Sequence, residues 1–214
     1  MLTEQPEPAL AGGPNIWCAI SNEFDAAKAE ERRAQGDTFW WYVCTGPKAP
    51  YCALFLDHPS LELRVWLWQT WQRKISGILV WQSNYWTSDA AYADPNAPQD
   101  PYADPMSWMS GYDTAANARK PWGNGDGRFI YPPESANGRQ AETILEGPVD
   151  SIRWEMLRDG VEDYEYLAIL RRLIDEREKA GKDMAQYKPL LDVPPAITAS
   201  ATEFTTDPAV IETQ

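Results

Sequence analysis

The residues in this chain with the most chemical potential are indoles set beside short polar side chains. Ten of the eleven tryptophans lie between Trp17 and Trp122, several at the ends of short apolar runs. The runs read Asn15-Ile-Trp-Cys18, Phe39-Trp-Trp-Tyr-Val-Cys44 and Gly77-Ile-Leu-Val-Trp-Gln-Ser-Asn-Tyr-Trp86. A further aromatic knot follows at Trp122-Gly-Asn-Gly-Asp-Gly127. An indole is large and flat, with a single N–H donor. A sugar ring has flat C–H faces and hydroxyl edges. Aromatic platforms beside Asn, Gln and Asp therefore suit a carbohydrate better than a nucleotide or a metal. The candidate contacts are Tyr42, Trp81, Asn84, Tyr85, Trp86, Trp122 and Asp126. The same indoles would equally fill a core, and for any one of them alone that is the commoner role.

Other chemistries fit less well. The three cysteines, Cys18, Cys44 and Cys52, form no C-x-x-C pair, and His58 is the single histidine. A zinc site is not expected, and Cys18 and Cys44 read as buried thiols. The glycine-rich stretch after Trp122 fails as a calcium loop, because Arg128 stands where an oxygen ligand is needed. A tight turn accounts for its glycines; a sugar contact accounts for Trp122 beside Asp126; both readings stand. Asp57 precedes a helix and reads as its cap, with His58 structural. Arg153, Arg158, Asp159, Glu162 and Asp163 read as an ion-pair network, and Glu155 as structural beside them. Neither a metal nor a cofactor is expected.

The formal net charge of −13 argues against nucleic acid and anionic membrane surfaces as partners. The first ten residues have neither a basic region nor an apolar core, so they do not read as a signal peptide. No apolar run approaches membrane-spanning length. As written, the chain reads as a soluble, cytoplasmic protein.

Short elements must position these residues. A strand is expected near Ile16 to Ala19. A helix follows over Ala26 to Gln35, capped by Ser21, Asn22 or Asp25 and stopped at Gly36. The aromatic strand runs from Thr38 to Thr45. A second helix spans Ser60 to Lys74, where Leu61, Val65, Trp68 and Ile75 recur on one face. The third strand, Ile78 to Trp81, is continuously apolar, as expected when both faces are covered. This β-α-β-α-β order implies parallel strands with helical crossovers, and ligands meet the carboxyl ends of such strands. Thr87 to Pro133 reads as a long loop, an ordered lid given its aromatics Tyr92, Tyr102, Trp108, Tyr112 and Trp122. Helix returns at Asp150 or Ser151, breaks at Gly160 and resumes from Val161 to Ala180. Tyr166, Leu170, Leu173 and Ile174 mark its buried stripe. Asp207-Pro208 reads as the start of another helix.

Taken in order, these motifs resemble the C-terminal half of the glycoside hydrolase family 123 catalytic domain. The matching stretches are Asn15 to Cys18; Glu31-Arg-Arg-Ala-Gln-Gly36 leading into Phe39-Trp-Trp-Tyr42; Leu56-Asp-His-Pro59 leading into Trp68-Gln-Thr-Trp71; and Trp81-Gln-Ser-Asn-Tyr-Trp86. Further on come Trp122 to Gly127 with Tyr131-Pro132, then Ser151-Ile-Arg-Trp-Glu155 and Leu157-Arg-Asp-Gly-Val-Glu-Asp-Tyr-Glu-Tyr166, the most specific of the set. The resemblance implies an α/β fold: a partial (β/α)8 barrel of the TIM type, about its last three β/α units, with a long loop before the closing helices. Residues 1–187 would form this part, and 188–214 a Pro/Thr-rich tail. It implies retaining, substrate-assisted β-N-acetylhexosaminidase chemistry, in which an Asp orients the substrate acetamido group and an adjacent Glu protonates the leaving oxygen. Here the one Asp-Glu dipeptide, Asp175-Glu176, lies in a charged helix and is not expected to be that pair. A barrel of this type typically needs ~250 residues, so a fragment is expected, from a truncated gene or a split polypeptide. The expected partners are carbohydrate and either the missing N-terminal half of the barrel or further copies of the chain. A non-catalytic carbohydrate-binding or scaffold protein on a half barrel is the alternative.

Overall fold

Alternation along one strand organises the molecule. In Thr38–Val43 the residues Phe39, Trp41 and Val43 are buried, while Thr38, Trp40 and Tyr42 are half-buried. The computed structural model describes residues 1–10, 12–87, 100–110, 120–133 and 146–213; for 108–110 and 120–122 the backbone alone is described. This strand, β2, is the centre of a three-stranded parallel sheet with β1 (Ile16–Ile20) and β3 (Gly77–Val80), in the order β1-β2-β3. The register sets Trp17 beside Phe39, and Ala19 beside Trp41 and Ile78. These residues share one face, toward the helices. Cys18, Trp40 and Gly77 align on the other face, as do Ile20, Tyr42 and Leu79. A Cβ at Gly77 would fall 2.4 Å from the Trp40 ring, so the indole lies where only glycine leaves room.

The helix face is the dry one. Helix α1 (Ala26–Arg33) is capped by Asp25, whose carboxylate accepts from the N–H groups of Ala27 and Lys28, and Gly36 ends the turn at φ 93°. Helix α2 (Leu61–Gln72) is buried almost all round. Such a helix needs partners on every side. Trp66 stacks on Trp41 of the sheet at 5.9 Å, and the Trp41 indole N–H donates to Thr70 Oγ1 at 2.9 Å. On another side Gln69 donates to Thr198 Oγ1 and Trp71 to the Leu191 carbonyl. The segment after Lys188 thus packs on α2, with Ile197 and Ile211 in the core. It ends in α4 (Pro208–Glu212), capped by Asp207.

The third side of α2 meets α3 (Ile152–Lys179), and here the structure departs from the expected break at Gly160. The helix runs unbroken through that residue. A Cβ on Gly160 would lie 3.0 Å from Arg64 Cα and 3.1 Å from Leu67 Cβ. Glycine is there for the close crossing of α2 and α3, which offsets its cost in a helix interior of about 1 kcal/mol. The buried stripe is also different. Arg153, Leu157, Gly160, Leu167 and Ile174 are buried, whereas Tyr166 is 70% and Leu173 44% exposed. Of the expected positions Ile174 is buried and Leu170 half-buried, while Tyr166 and Leu173 face outward.

Three other expectations change. All four residues of β3 are half-exposed rather than covered, because β3 is an edge of its sheet. At the other edge, Leu2 caps β1 with a donor bond to the Ile16 carbonyl and an acceptor bond from the Cys18 N–H. The stretch read as a loop contains an antiparallel pair, β4 (Met106–Ser110) with β5 (Lys120–Asn124). The expected lid aromatics Tyr92 and Tyr112, and the side chain of Trp108, fall outside the described residues. Two-residue strands β6 (Ile130–Tyr131) and β7 (Val149–Asp150) then pair ahead of α3. Cys18 is fully buried, but Cys44 only half so. The fold is α/β, a parallel sheet with helices; among the described residues no barrel closes. No described helix is long and apolar enough to cross a membrane.

Candidate functional site

The chain leaving the carboxyl end of β3 is joined to the turn that follows β5. The Tyr85 N–H donates to the Gly127 carbonyl at 2.8 Å, and the N–H groups of Phe129 and Ile130 both donate to Ser83 O. Asn84 and Arg128 form an antiparallel bridge, and the Trp86 indole N–H donates to Ile130 O at 2.7 Å. Segments more than forty positions apart are thereby one surface. Glycine makes the approach possible. Gly125 and Gly127 hold φ of 75° and 71°, and a Cβ at Gly127 would lie 3.1 Å from Tyr85 Cβ and 3.2 Å from the Trp81 ring. The tight-turn reading of the glycines is correct.

Trp81 stands on this turn, 47% exposed, with Tyr85 edge-on to it at 5.2 Å. Asn84 is exposed nearby in the chain, and Trp86 is half-buried with its N–H already engaged. Tyr42 lies on the half-exposed face of the sheet, in register with Leu79, two positions before Trp81. Burial raises its hydroxyl pKa. The backbone of Trp122 lies in β5, and its side chain is outside the described residues. The surface around Trp81 thus offers a half-exposed indole and an exposed amide in one neighbourhood, groups able to stack on a flat C–H face and bond a hydroxyl edge.

Asp126 is not at a rim. It is 1% exposed, and among the described residues its Oδ2 has no hydrogen-bond partner. Burial pushes its pKa up to about 6, against the lowering pull of the Arg153 guanidinium and the Gly127 N–H. The turn wraps inward because Asp126 sits between two left-handed glycines, and the chain folds over Arg153.

Two buried arginines complete the site. Arg153 Nη1 donates to the carbonyls of Leu54 at 2.6 Å and Gly125 at 2.9 Å; its Nη2 donates to Arg128 O. The guanidinium lies 5.0 Å from the Phe129 ring centroid. Arg128, itself fully buried, donates from Nε to Tyr85 O at 2.7 Å and from Nη1 to Asp104 O at 2.9 Å. Neither role was expected. The signal available was Arg128 between a glycine turn and Phe129, and Arg153 one position into a helix.

The expected ion-pair network divides. Arg158 pairs at the surface with Glu155, Asp159 and Glu162. Asp163 instead accepts from Arg64 Nε at 2.7 Å and Nη2 at 3.0 Å and from the Trp68 N–H at 2.9 Å, joining α3 to α2. Asp57 is no helix cap: it accepts from Asn124 Nδ2 at 2.9 Å, and α2 begins at Ser60 without a side-chain cap. His58 Nδ1 lies 3.0 Å from Glu62, which also accepts the Ala53 N–H. Burial raises the Glu62 pKa. Asp175 and Glu176 are exposed on α3.

The family model described as glycoside hydrolase 123, catalytic domain, matches residues 14–170. Among solved structures the chain is similar to a family 123 glycoside hydrolase from Clostridium perfringens, analysed for glycolipid glycan hydrolysis, at 19% identity and a TM-score of 0.50. The match covers 74% of this chain and 23% of that one, and shows a shared fold. No curated protein matches the chain.

Proposed function

The chain belongs to glycoside hydrolase family 123, through the match of its catalytic domain to residues 14–170, and from that membership we propose that it forms part of the sugar-binding wall of a hydrolase acting on N-acetylhexosamine-type β-glycosides. The observation that carries the reading is the exposed Trp81 indole, braced by Tyr85 on the Gly127 turn at the carboxyl end of a parallel strand. Ligands of parallel α/β sheets bind at that end. In this reading Trp81, Tyr85, Trp86 and Trp122 supply apolar surface, Asn84 and Tyr42 polar contacts, and Asp126 a buried acid behind them.

The three parallel strands then correspond to the last three of a (β/α)8 barrel, with α3 as the closing helix. Supporting this, β3 is an edge strand, and beside it lies a cavity of about 650 Å3 whose walls include Ile78, Val80, Leu157 and Val161 together with Trp81 and Asn84 of the candidate surface. A further strand and helix, from the rest of the barrel or from another copy, would cover its walls on β3 and α3. The catalytic Asp-Glu pair has no counterpart here beyond the exposed Asp175-Glu176, so the acid comes from residues outside these 214. Proton donation contributes typically ~10²–10⁴-fold, and without it the chain alone binds but does not cleave.

The test is titration of the purified chain with methyl β-N-acetylhexosaminides, beside an assay of aryl β-N-acetylhexosaminide hydrolysis. Binding that weakens about tenfold in Trp81→Ala, with unchanged circular dichroism and no turnover, is expected; tenfold is ~1.4 kcal/mol, the size of one aromatic contact. Binding indifferent to Trp81 removes the subsite. Turnover abolished by a substitution within this chain refutes the missing-acid reading. A tight, turnover-free monomer that stays unaltered by the remainder of a barrel favours the non-catalytic binding protein.

A further inference from the structure

Two guanidinium groups lie 0% and 2% exposed beneath the candidate sugar surface, and each donates to several backbone carbonyls among the described residues. Arg153 has Asp126 near enough to perturb it, yet its bonds run to Leu54 O, Gly125 O and Arg128 O. Arg128 bonds Tyr85 O and Asp104 O, and reaches Trp86 O at 3.5 Å. The carbonyl of Arg128 is itself an acceptor for Arg153, so the two side chains act in series. The first links the start of α3 and the loop before α2 to the Gly125 turn. The second links that turn to the segment leaving β3 and to the chain before β4.

Resting on the reading of Trp81 and Tyr85 as a sugar platform, we propose that Arg153 and Arg128 are positioning residues: a two-step clamp that sets the platform's place relative to the helical core. A planar fork with five N–H donors is suited to hold several carbonyls at fixed angles; a lysine ammonium on a flexible stem is not. Gly125 fits the same design, since a Cβ there would fall 2.7 Å from Arg153 Nη2. The clamp acts through backbone and needs no contact with sugar.

Hydrogen exchange on the whole chain tests this, because it reads the clamp whether or not a sugar binds. The informative amides are Tyr85, Phe129 and Ile130, whose bonds join the two clamped segments. In Arg128→Lys these should exchange at least tenfold faster, while amides of β1, β2 and α2 keep their wild-type rates. N-acetylhexosaminide affinity should fall by a similar factor although no sugar contact is altered. If Arg128→Lys does not fold, Arg153→Lys and Gly125→Ala loosen the same seam from the other side and should speed the same three amides. Unchanged exchange at the three amides overturns the clamp. So does a uniform rise across the sheet and α2, the mark of general stabilisation. If the amides respond but wild-type chain binds no sugar, the clamp stands and the sugar reading fails.

Discussion

Replacing Asp126 with asparagine should make the chain's stability less dependent on pH, in a direction opposite to the usual acid effect. The carboxyl is 1% exposed and burial pushes its pKa from 3.8 up to about 6. The folded state therefore holds this proton at pH values where the unfolded chain has released it. Its contribution is fully present below about pH 4 and is lost as pH rises through 6. Two units correspond to ~3 kcal/mol between the extremes, with about 1.5 kcal/mol of that falling between pH 5 and 8. The side-chain amide introduced by Asp126→Asn would carry no charge at any of these values. Urea unfolding of both proteins at pH 5, 6, 7 and 8 isolates the effect, since every other titrating group, Glu62 included, is common to both. The difference in unfolding free energy should shift in favour of Asp126→Asn by about 1.5 kcal/mol from pH 5 to pH 8. A pH-independent difference refutes the buried-acid argument. A shift the other way means that the ionised carboxylate stabilises Arg153 by more than its own burial costs.

Gly160→Ala should destabilise by about 1–2 kcal/mol in urea unfolding, because contacts near 3.0 Å with Arg64 backbone outweigh the gain in helix propensity; a more stable variant would show that α2 and α3 separate easily. Arg64→Ala should cost about 1–3 kcal/mol by stranding Asp163, which accepts from Nε and Nη2 of that guanidinium. A double-mutant cycle with Asp163→Ala should return a coupling near 1 kcal/mol, and a coupling near zero would refute the link. The isolated chain should self-associate at micromolar concentration in analytical ultracentrifugation, because β3 is a half-exposed edge strand. A monomer with one cooperative transition at a high midpoint would contradict the open-sheet reading.

Much of the fold is legible in the sequence where the cause is local. Asp25 and Asp207 cap helices because a carboxylate can reach the next free N–H groups, and no distant residue is needed. The three strands and two crossover helices follow from apolar runs and their punctuation by glycine and proline. Alternation alone dictates that Trp40 and Trp41 face opposite ways. The candidate surface was legible in part: the chain after β3 and the glycine turn after β5 stand out by composition, and Trp81, Asn84, Tyr85 and Trp86 do meet that turn.

What remained was decided at long range. Only the packing of α2 against the sheet made Trp41 the buried indole and left Trp40 over Gly77. Gly160 reads as a break by propensity, yet it lies inside a helix because a neighbouring backbone needs the space. Asp57 and Asn124, 67 positions apart, form a pair that no local rule proposes. Asp126 reads as a sugar contact and Arg153 as a member of an ion-pair network, and both become buried because three carbonyls from two separate segments converge on one guanidinium. Local sequence states which residues favour a turn, a cap or a strand. Whether a charged side chain ends in water or beneath the chain depends on which distant donors and acceptors arrive to replace the water, and that is a property of the assembled fold.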